Sequence, residues 1–146
     1  MEVSLNASAK RPSILSLAGL VLLAAIIPSI SEGAELVPEK LKQQLESPNR
    51  NIVLRTVHEV TDWGPLASDL VPQLVDLLKT DDVLLQHDTA VALGQIGPAA
   101  ADAVEPLTNL LSHKSILLQR SAADALGEIG SAATPAVPRL SAMLRR

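Results

Sequence analysis

Ala92-Leu93-Gly94-Gln95-Ile96-Gly97 returns as Ala125-Leu126-Gly127-Glu128-Ile129-Gly130, and this pair of stretches decides the fold. The step from Gly97 to Gly130 is 33 residues. The same step upstream reaches Gly64 in Val60-Thr61-Asp62-Trp63-Gly64-Pro65, a degenerate third copy that keeps the closing glycine. Self-similarity at a period between roughly 20 and 50 residues marks a solenoid, in which each repeat buries its apolar face only against its neighbours.

Within the period, apolar residues fall at helical spacing. Val57, Val60 and Trp63 are followed by Ala90, Leu93 and Ile96, then by Ala123, Leu126 and Ile129. Steps of three line one face of a helix, here termed A. Asn49 or Asn51, the carboxylates of Asp81 and Asp82, and Ser115 stand where the three A helices begin, as oxygen-bearing caps for orphan N–H groups. Gly64, Gly97 and Gly130 are expected to close the A helices as left-handed caps. A glycine inside a helix costs roughly 1 kcal/mol relative to alanine, so Gly94 and Gly127 imply close packing, expected here between helix A and the helix that follows it.

That second helix, B, carries Val71, Leu74, Leu77 and Leu78, then Val104, Leu107, Leu110 and Leu111, then Val137, Leu140, Met143 and Leu144. Pro72 and Pro138 suit its first turn, where N–H groups have no intrahelical partner. Asp69 and Asp102 are expected to cap it. Glu35-Leu36-Val37-Pro38 echoes Asp69-Leu70-Val71-Pro72, so a lone helix B leads the array. The predicted fold is all-α: an α-solenoid of antiparallel helix pairs in a domain over residues 32–146. It holds a half-repeat at 35–46 and repeats at about 49–79, 82–112 and 115–145.

Composition narrows the chemistry. The 146 residues are 47% hydrophobic, with no Phe or Tyr and one Trp, so the core is built of Leu, Val, Ile and Ala. Small aliphatics suit helices that approach closely, since interiors pack without voids. Cysteine is absent, which excludes thiol catalysis, thiolate metal sites and disulfides. The net charge is −4 and the only positive cluster is Arg139, Arg145 and Arg146, so nucleic acid is not an expected partner.

The N-terminus reads differently. Lys10 and Arg11 precede an apolar run from Ile14 to Ile27, and Pro28-Ser29-Ile30-Ser31 follows with a breaker and two small residues. This is the pattern of a secretory signal peptide over residues 1–31, with cleavage after Ser31, and it predicts an exported protein, periplasmic or secreted. The alternative is an uncleaved membrane anchor over residues 14–30, about 17 residues and at the short limit of a span. A further repeat would place Val21, Leu22, Ala25 and Ile26 where the later copies carry Arg55, His58, Glu59, His87, Asp88, Arg120 and Asp124. Such a helix would be apolar on both faces, which argues against a repeat there.

Leu118-Gln119-Arg120-Ser121-Ala122-Ala123-Asp124-Ala125-Leu126-Gly127-Glu128-Ile129-Gly130, followed by Ala136-Val137-Pro138-Arg139-Leu140, resembles a HEAT repeat of the short type found in phycobilisome lyase subunits. The resemblance runs over about residues 35–146 and is strongest at 83–144. It implies a right-handed superhelix of helix pairs with the B helices on the concave side. It also implies, as an alternative function, a lyase-like or chaperone-like subunit acting on a protein that carries a tetrapyrrole (bilin). Deoxyhypusine hydroxylase is similar in repeat type and holds two irons with His-Glu pairs. Here His87-Asp88 is in a similar register, but Leu54-Arg55 and Arg120-Ser121 occupy the equivalent places, so no di-iron ligand set forms.

No nucleophile with its base, phosphate loop or metal cluster appears, so no cofactor is expected and the chain reads as a non-catalytic scaffold for another protein. Trp63 takes the register of Ile96 and Ile129 and is assigned to the core. His58 and His87 fall on outward or flanking faces of helix A, and His113 falls in a turn. The expected binding surface is the polar row of the B helices: Gln73 and Asp76, Pro106 and Asn109, Arg139 and Ala142. The C-terminal repeat, with Leu144 near its end, is further expected to stack end to end on another copy or on a partner.

Overall fold

Three A helices stacked side by side form the backbone of the solenoid. The computed structural model describes residues 39–145, whose regular secondary structure is all helical. A lead helix, α1 (Glu39–Leu45), precedes three units of identical layout. The A helices are α2 (Arg50–Trp63), α4 (Val83–Ile96) and α6 (Ile116–Ile129), each of 14 residues. The B helices are α3 (Val71–Leu77), α5 (Val104–Leu110) and α7 (Val137–Met143), each of 7 residues. Between A and B runs a seven-residue 3-10 helix: Gly64–Leu70, Gly97–Ala103 or Gly130–Ala136. Residues 1–31, where a signal peptide is expected, the Glu35-Leu36-Val37-Pro38 stretch expected to start the half-repeat, and Arg146 lie outside the described residues. Among the described residues no helix is long and apolar enough to cross a membrane.

The A-helix starts follow the expected chemistry in two repeats of three. Asn49 caps α2 by accepting from the Asn51 N–H, and Asp82 caps α4 by accepting from the N–H groups of Leu84 and Leu85. Ser115 holds the cap position of α6 but its side chain makes no capping bond. His113 takes over that end instead. Its Nδ1 accepts from the Ser115 N–H at 3.1 Å, and its carbonyl accepts from Gln119 Nε2 at 2.6 Å.

The A-helix ends correct one expectation. Gly64, Gly97 and Gly130 have φ of 51°, 72° and 73°, as required of glycine, but their ψ values are −129°, −139° and −130°. That is not the left-handed helical cap. It lies on the mirror side of the extended region, which a β-carbon closes to nearly every other residue. The chain thereby turns sharply while the Gly97 and Gly130 N–H groups still bond back to Leu93 and Leu126.

A second correction concerns the B helices. Asp69 and Asp102 do not cap them, because no free helix start exists there. The 3-10 link runs directly into helix B, and the Val71, Val104 and Val137 N–H groups donate to the carbonyls of Ser68, Ala101 and Thr134. The donors an aspartate would have served are already used. Within the first two links a single alanine, Ala67 or Ala100, leaves helical geometry and sets the kink.

Packing runs chiefly from one repeat to the next. Each A helix lies on the next A helix, most closely α4 on α6, and each B helix meets the following A helix. The helix α4 is therefore covered on both sides: Leu85, Gln86, Thr89, Ala90, Ala92, Leu93, Gly94 and Ile96 are all buried. The Leu93, Ile96, Leu126 and Ile129 side chains contribute about 1.5–3 kcal/mol each by leaving water. Trp63, partly buried, packs against the same core.

Here the packing glycine is also reassigned. A β-carbon at Gly94 would lie 3.1 Å from Ala125 Cα and 3.4 Å from Ala125 Cβ, so this glycine admits the next A helix and not its own helix B. At Gly127 nothing lies within 4 Å. Thr61, in the same register of the first repeat, turns its hydroxyl back to the Val57 carbonyl at 2.8 Å.

Candidate functional site

The six B-helix residues sit where alternation of the apolar stripe puts them, on the side of α3, α5 and α7 away from the core. Asp76, Asn109, Arg139 and Ala142 are exposed, while Gln73 and Pro106 are half-buried. The structure brings the first pair together. Gln73 and Asp76 line a cleft of about 230 Å³ between α1 and α3, with Leu45, Glu46, Pro72 and Leu77. Inside it Gln73 Oε1 is buried and accepts no hydrogen bond. A buried acceptor without a donor costs about 1–3 kcal/mol. Asp76 is tied to Lys79 Nζ at 2.6 Å, one turn on and exposed, where such a pair is worth little. Pro106, Asn109, Arg139 and Ala142 line none of the three clefts described here. Successive B helices meet the intervening A helix more than one another.

Two further clefts lie on the A-helix side. One, of about 450 Å³, separates α4 from α6 and is lined by Val91, Gly94, Leu117, Arg120, Asp124 and Glu128, among others. The other, of about 310 Å³, separates α2 from α4 and holds His58, Thr61, Asp62 and Asp88. His87 lines both, and its Nδ1 is buried without a partner. The placement of His58 and His87 on outward or flanking faces does not by itself disclose these grooves. Gly94 and Ala125, which meet at the α4–α6 contact, lie in the lining of the larger groove.

Polar ties between repeats were also invisible in the periodic pattern. Arg50, at the start of α2, grips Asp82 with two guanidinium nitrogens, Nε on Oδ2 and Nη2 on Oδ1, the latter at 3.1 Å. That bond, followed by the Leu85 N–H, holds the Asp82 carboxyl down at about 2, and the same bond raises Arg50 above its ordinary value. Asp82 thus caps α4 and joins it to α2 with one side chain. His58 Nε2 lies 3.1 Å from Asp88 Oδ2 across the same junction. Gln86, buried, donates to the Leu78 carbonyl at 2.8 Å and ties α4 to the end of α3. None of these arrangements pairs a nucleophile with a base. Among the described residues no group of three or more His, Asp and Glu side chains is placed to share a metal ion.

The family model of the PBS lyase HEAT-like repeat matches this chain twice, over residues 85–113 and 118–146. The two matches are offset by the period of 33 residues, and they fall on the second and third units of the array. No curated protein matches the chain.

Proposed function

We propose that this chain, a HEAT-like repeat protein, is a non-catalytic scaffold, exported from the cytoplasm, that binds another protein along its B helices. The observation that carries the reading is the α1–α3 cleft, where Gln73 presents a buried, unpaired acceptor beside the exposed carboxylate of Asp76. The row continues over Pro106, Asn109, Arg139 and Ala142. Across the copies its chemistry changes from amide to proline to guanidinium, and from carboxylate to amide to methyl, while the core registers repeat. Residues free of the packing requirement are the ones that can encode a partner. Export rests on Lys10, Arg11 and the apolar run from Ile14 to Ile27.

The experiment is a pull-down from an extracytoplasmic extract, with the wild-type chain beside an Asp76→Lys/Arg139→Glu variant. A partner retained by the first and lost by the second supports the B-helix row. If every partner survives both reversals, the binding face is elsewhere. The intact mass of the exported protein tests removal of residues 1–31.

The family description favours a second reading, a lyase-like or chaperone-like subunit for a bilin-bearing protein. A repeat match is a fold-level warrant for function and carries no chemistry of its own. Mixing the chain with free bilin tests it: an unchanged visible spectrum, with and without the client, removes this reading.

A further inference from the structure

The two clefts on the A-helix side are one feature repeated at successive junctions. His58, Thr61 and Asp62 of α2 are related by the period of 33 residues to Val91, Gly94 and Gln95 of α4, and each trio lines the cleft toward the next A helix. Where the α2–α4 cleft has Thr61, the α4–α6 cleft has Gly94, and it is the roomier of the two, about 450 Å³ against about 310 Å³. Its lining includes Val91 and Leu117, large apolar side chains 38% and 41% exposed, beside the floor where Gly94 meets Ala125. His87 lines both clefts, and its Nδ1 is buried with no hydrogen-bond partner in the chain.

The charge around these clefts is lopsided. Asp124 and Glu128 line the α4–α6 cleft with Arg120, and Asp62 and Asp88 line the α2–α4 cleft. Four carboxylates therefore stand against one guanidinium. Arg120 is held only loosely, 3.9 Å from Asp124 with its side chain 83% exposed. Among the described residues neither Asp62 nor Glu128 has an ion-pair partner. Both stand in the last turn of an A helix, and none of the three A helices carries a basic residue there. The C-terminal end of a helix is the negative end of its dipole, where a cation is favoured and a carboxylate is not. Uncompensated negative charge thus lies beside an open aliphatic groove.

We propose that the α4–α6 groove docks a cationic, leucine-bearing segment of a partner protein, at a surface separate from the B-helix row. Leu117 and Glu128 mark its two ends on α6, about 16 Å apart along the helix, which about five residues of extended chain would span. Aliphatic side chains of the segment pack on Val91 and Leu117 over the Gly94–Ala125 floor. Its Lys or Arg side chains take Asp124 from Arg120 and pair with Glu128. Exposed ion pairs contribute little by themselves. The charges select the partner and speed its arrival, while the apolar contact holds it. The same negative rim repels nucleic acid and anionic lipid.

Fluorescein-labelled peptides of equal length serve as probes for the full chain: leucine alternating with lysine, the same with glutamate for lysine, and the same with serine for leucine. Fluorescence anisotropy is expected to show binding of the first, weakening as salt is raised, and about tenfold weaker binding of the other two. Asp124→Lys/Glu128→Lys is expected to lose about tenfold in affinity for the leucine–lysine peptide. Asp69→Lys/Asp102→Lys changes the net charge equally, at exposed positions that line none of the three clefts, and should stay within about twofold of the wild type. All four reversed side chains are exposed, so far-ultraviolet CD should match the wild type, and Asp124→Asn/Glu128→Gln repeats the test without introducing charge. Placement is read from Gln95→Cys, which puts a single thiol on the exposed groove wall of a cysteine-free chain. Its labelling by a maleimide should be slowed several-fold by the leucine–lysine peptide and not by the serine one. No binding of the leucine–lysine peptide overturns the proposal, as does equal loss in the two reversal pairs or equal affinity for the serine peptide. Labelling that slows with rising chain concentration and no peptide would mean that a second copy fills the groove, and the proposal would fail.

Discussion

Two glycines in one register, Gly94 and Gly127, should respond with opposite sign to the same substitution. Both lie in the interior of an A helix, where alanine is favoured over glycine by about 1 kcal/mol. At Gly127 nothing lies within 4 Å of the added carbon, so the gain is realised and Gly127→Ala stabilises by up to about 1 kcal/mol. At Gly94 the carbon would sit 3.1 Å from Ala125 Cα, with Glu128 Cβ at 3.7 Å behind it. The obstructing atom is helix backbone and cannot rotate away. The α4 and α6 axes must part by a few tenths of an ångström, at a cost of about 1–3 kcal/mol for overpacking. Set against the propensity gain, Gly94→Ala is expected to destabilise by about 1 kcal/mol, leaving the two variants about 2 kcal/mol apart.

Urea unfolding followed by CD at dilute protein concentration measures both, with the slope of the transition checked for constancy. If the two variants shift the midpoint in the same direction by the same amount, Gly94 is not a spacer between A helices. A Gly94→Ala chain more stable than the wild type would mean that α6 yields without cost, and the account of A-on-A packing would fail.

Four other substitutions probe other parts of the argument. The Asp82 carboxyl is depressed from 3.8 to about 2 by Arg50 and the Leu85 N–H, so its contribution is present above about pH 4 and is lost as pH falls toward 2. Asp82→Ala should cost about 1 kcal/mol of cap stability at neutral pH and flatten the acid limb of the urea midpoint measured against pH. Gly97→Ala forces alanine to φ 72° and ψ −139° and should destabilise by about 1–3 kcal/mol, although the nearest atom to the new carbon, the Glu128 carbonyl oxygen, is at an unstrained 3.8 Å. Comparing its thermal midpoint with that of Gly64→Ala tests whether the cost is conformational, since Gly64 shares the positive φ. Gln86→Leu removes the donor to the Leu78 carbonyl and should cost about 1–3 kcal/mol in chemical denaturation; a neutral result would mean water replaces the amide.

The period was legible because core identity repeats: Leu93 and Leu126, Ile96 and Ile129, Leu74 and Leu107 occupy the same registers and are buried in each. A repeated residue type names the environment it needs, here a dry one. It does not name the neighbour. Gly94 reads from sequence as a small residue at a contact, but whether helix B or the next helix A lies there depends on how one unit is set on another, which no single unit encodes. The expected caps at Asp69 and Asp102 failed for a related reason. A cap is inferred from a helix start, and the continuous 3-10 link removes the start by bonding Val71 and Val104 backwards. His113 shows the converse: Ser115 stands in the cap position, yet the ring two residues earlier has the reach and geometry to accept its N–H.

Polar residues were hardest to place for the same physical cause. Arg50 with Asp82, and His58 with Asp88, lie 32 and 30 residues apart, close to one period, so their contacts are made between copies and follow from the stacking alone. In a solenoid the junction is the unit that sets both stability and exposure. The positions that differ most in burial between copies are junction positions of the third repeat, Val137 and Leu144. What distinguishes the surfaces of this chain is therefore which junction each residue belongs to, and that is fixed by the order of the repeats more than by their sequence.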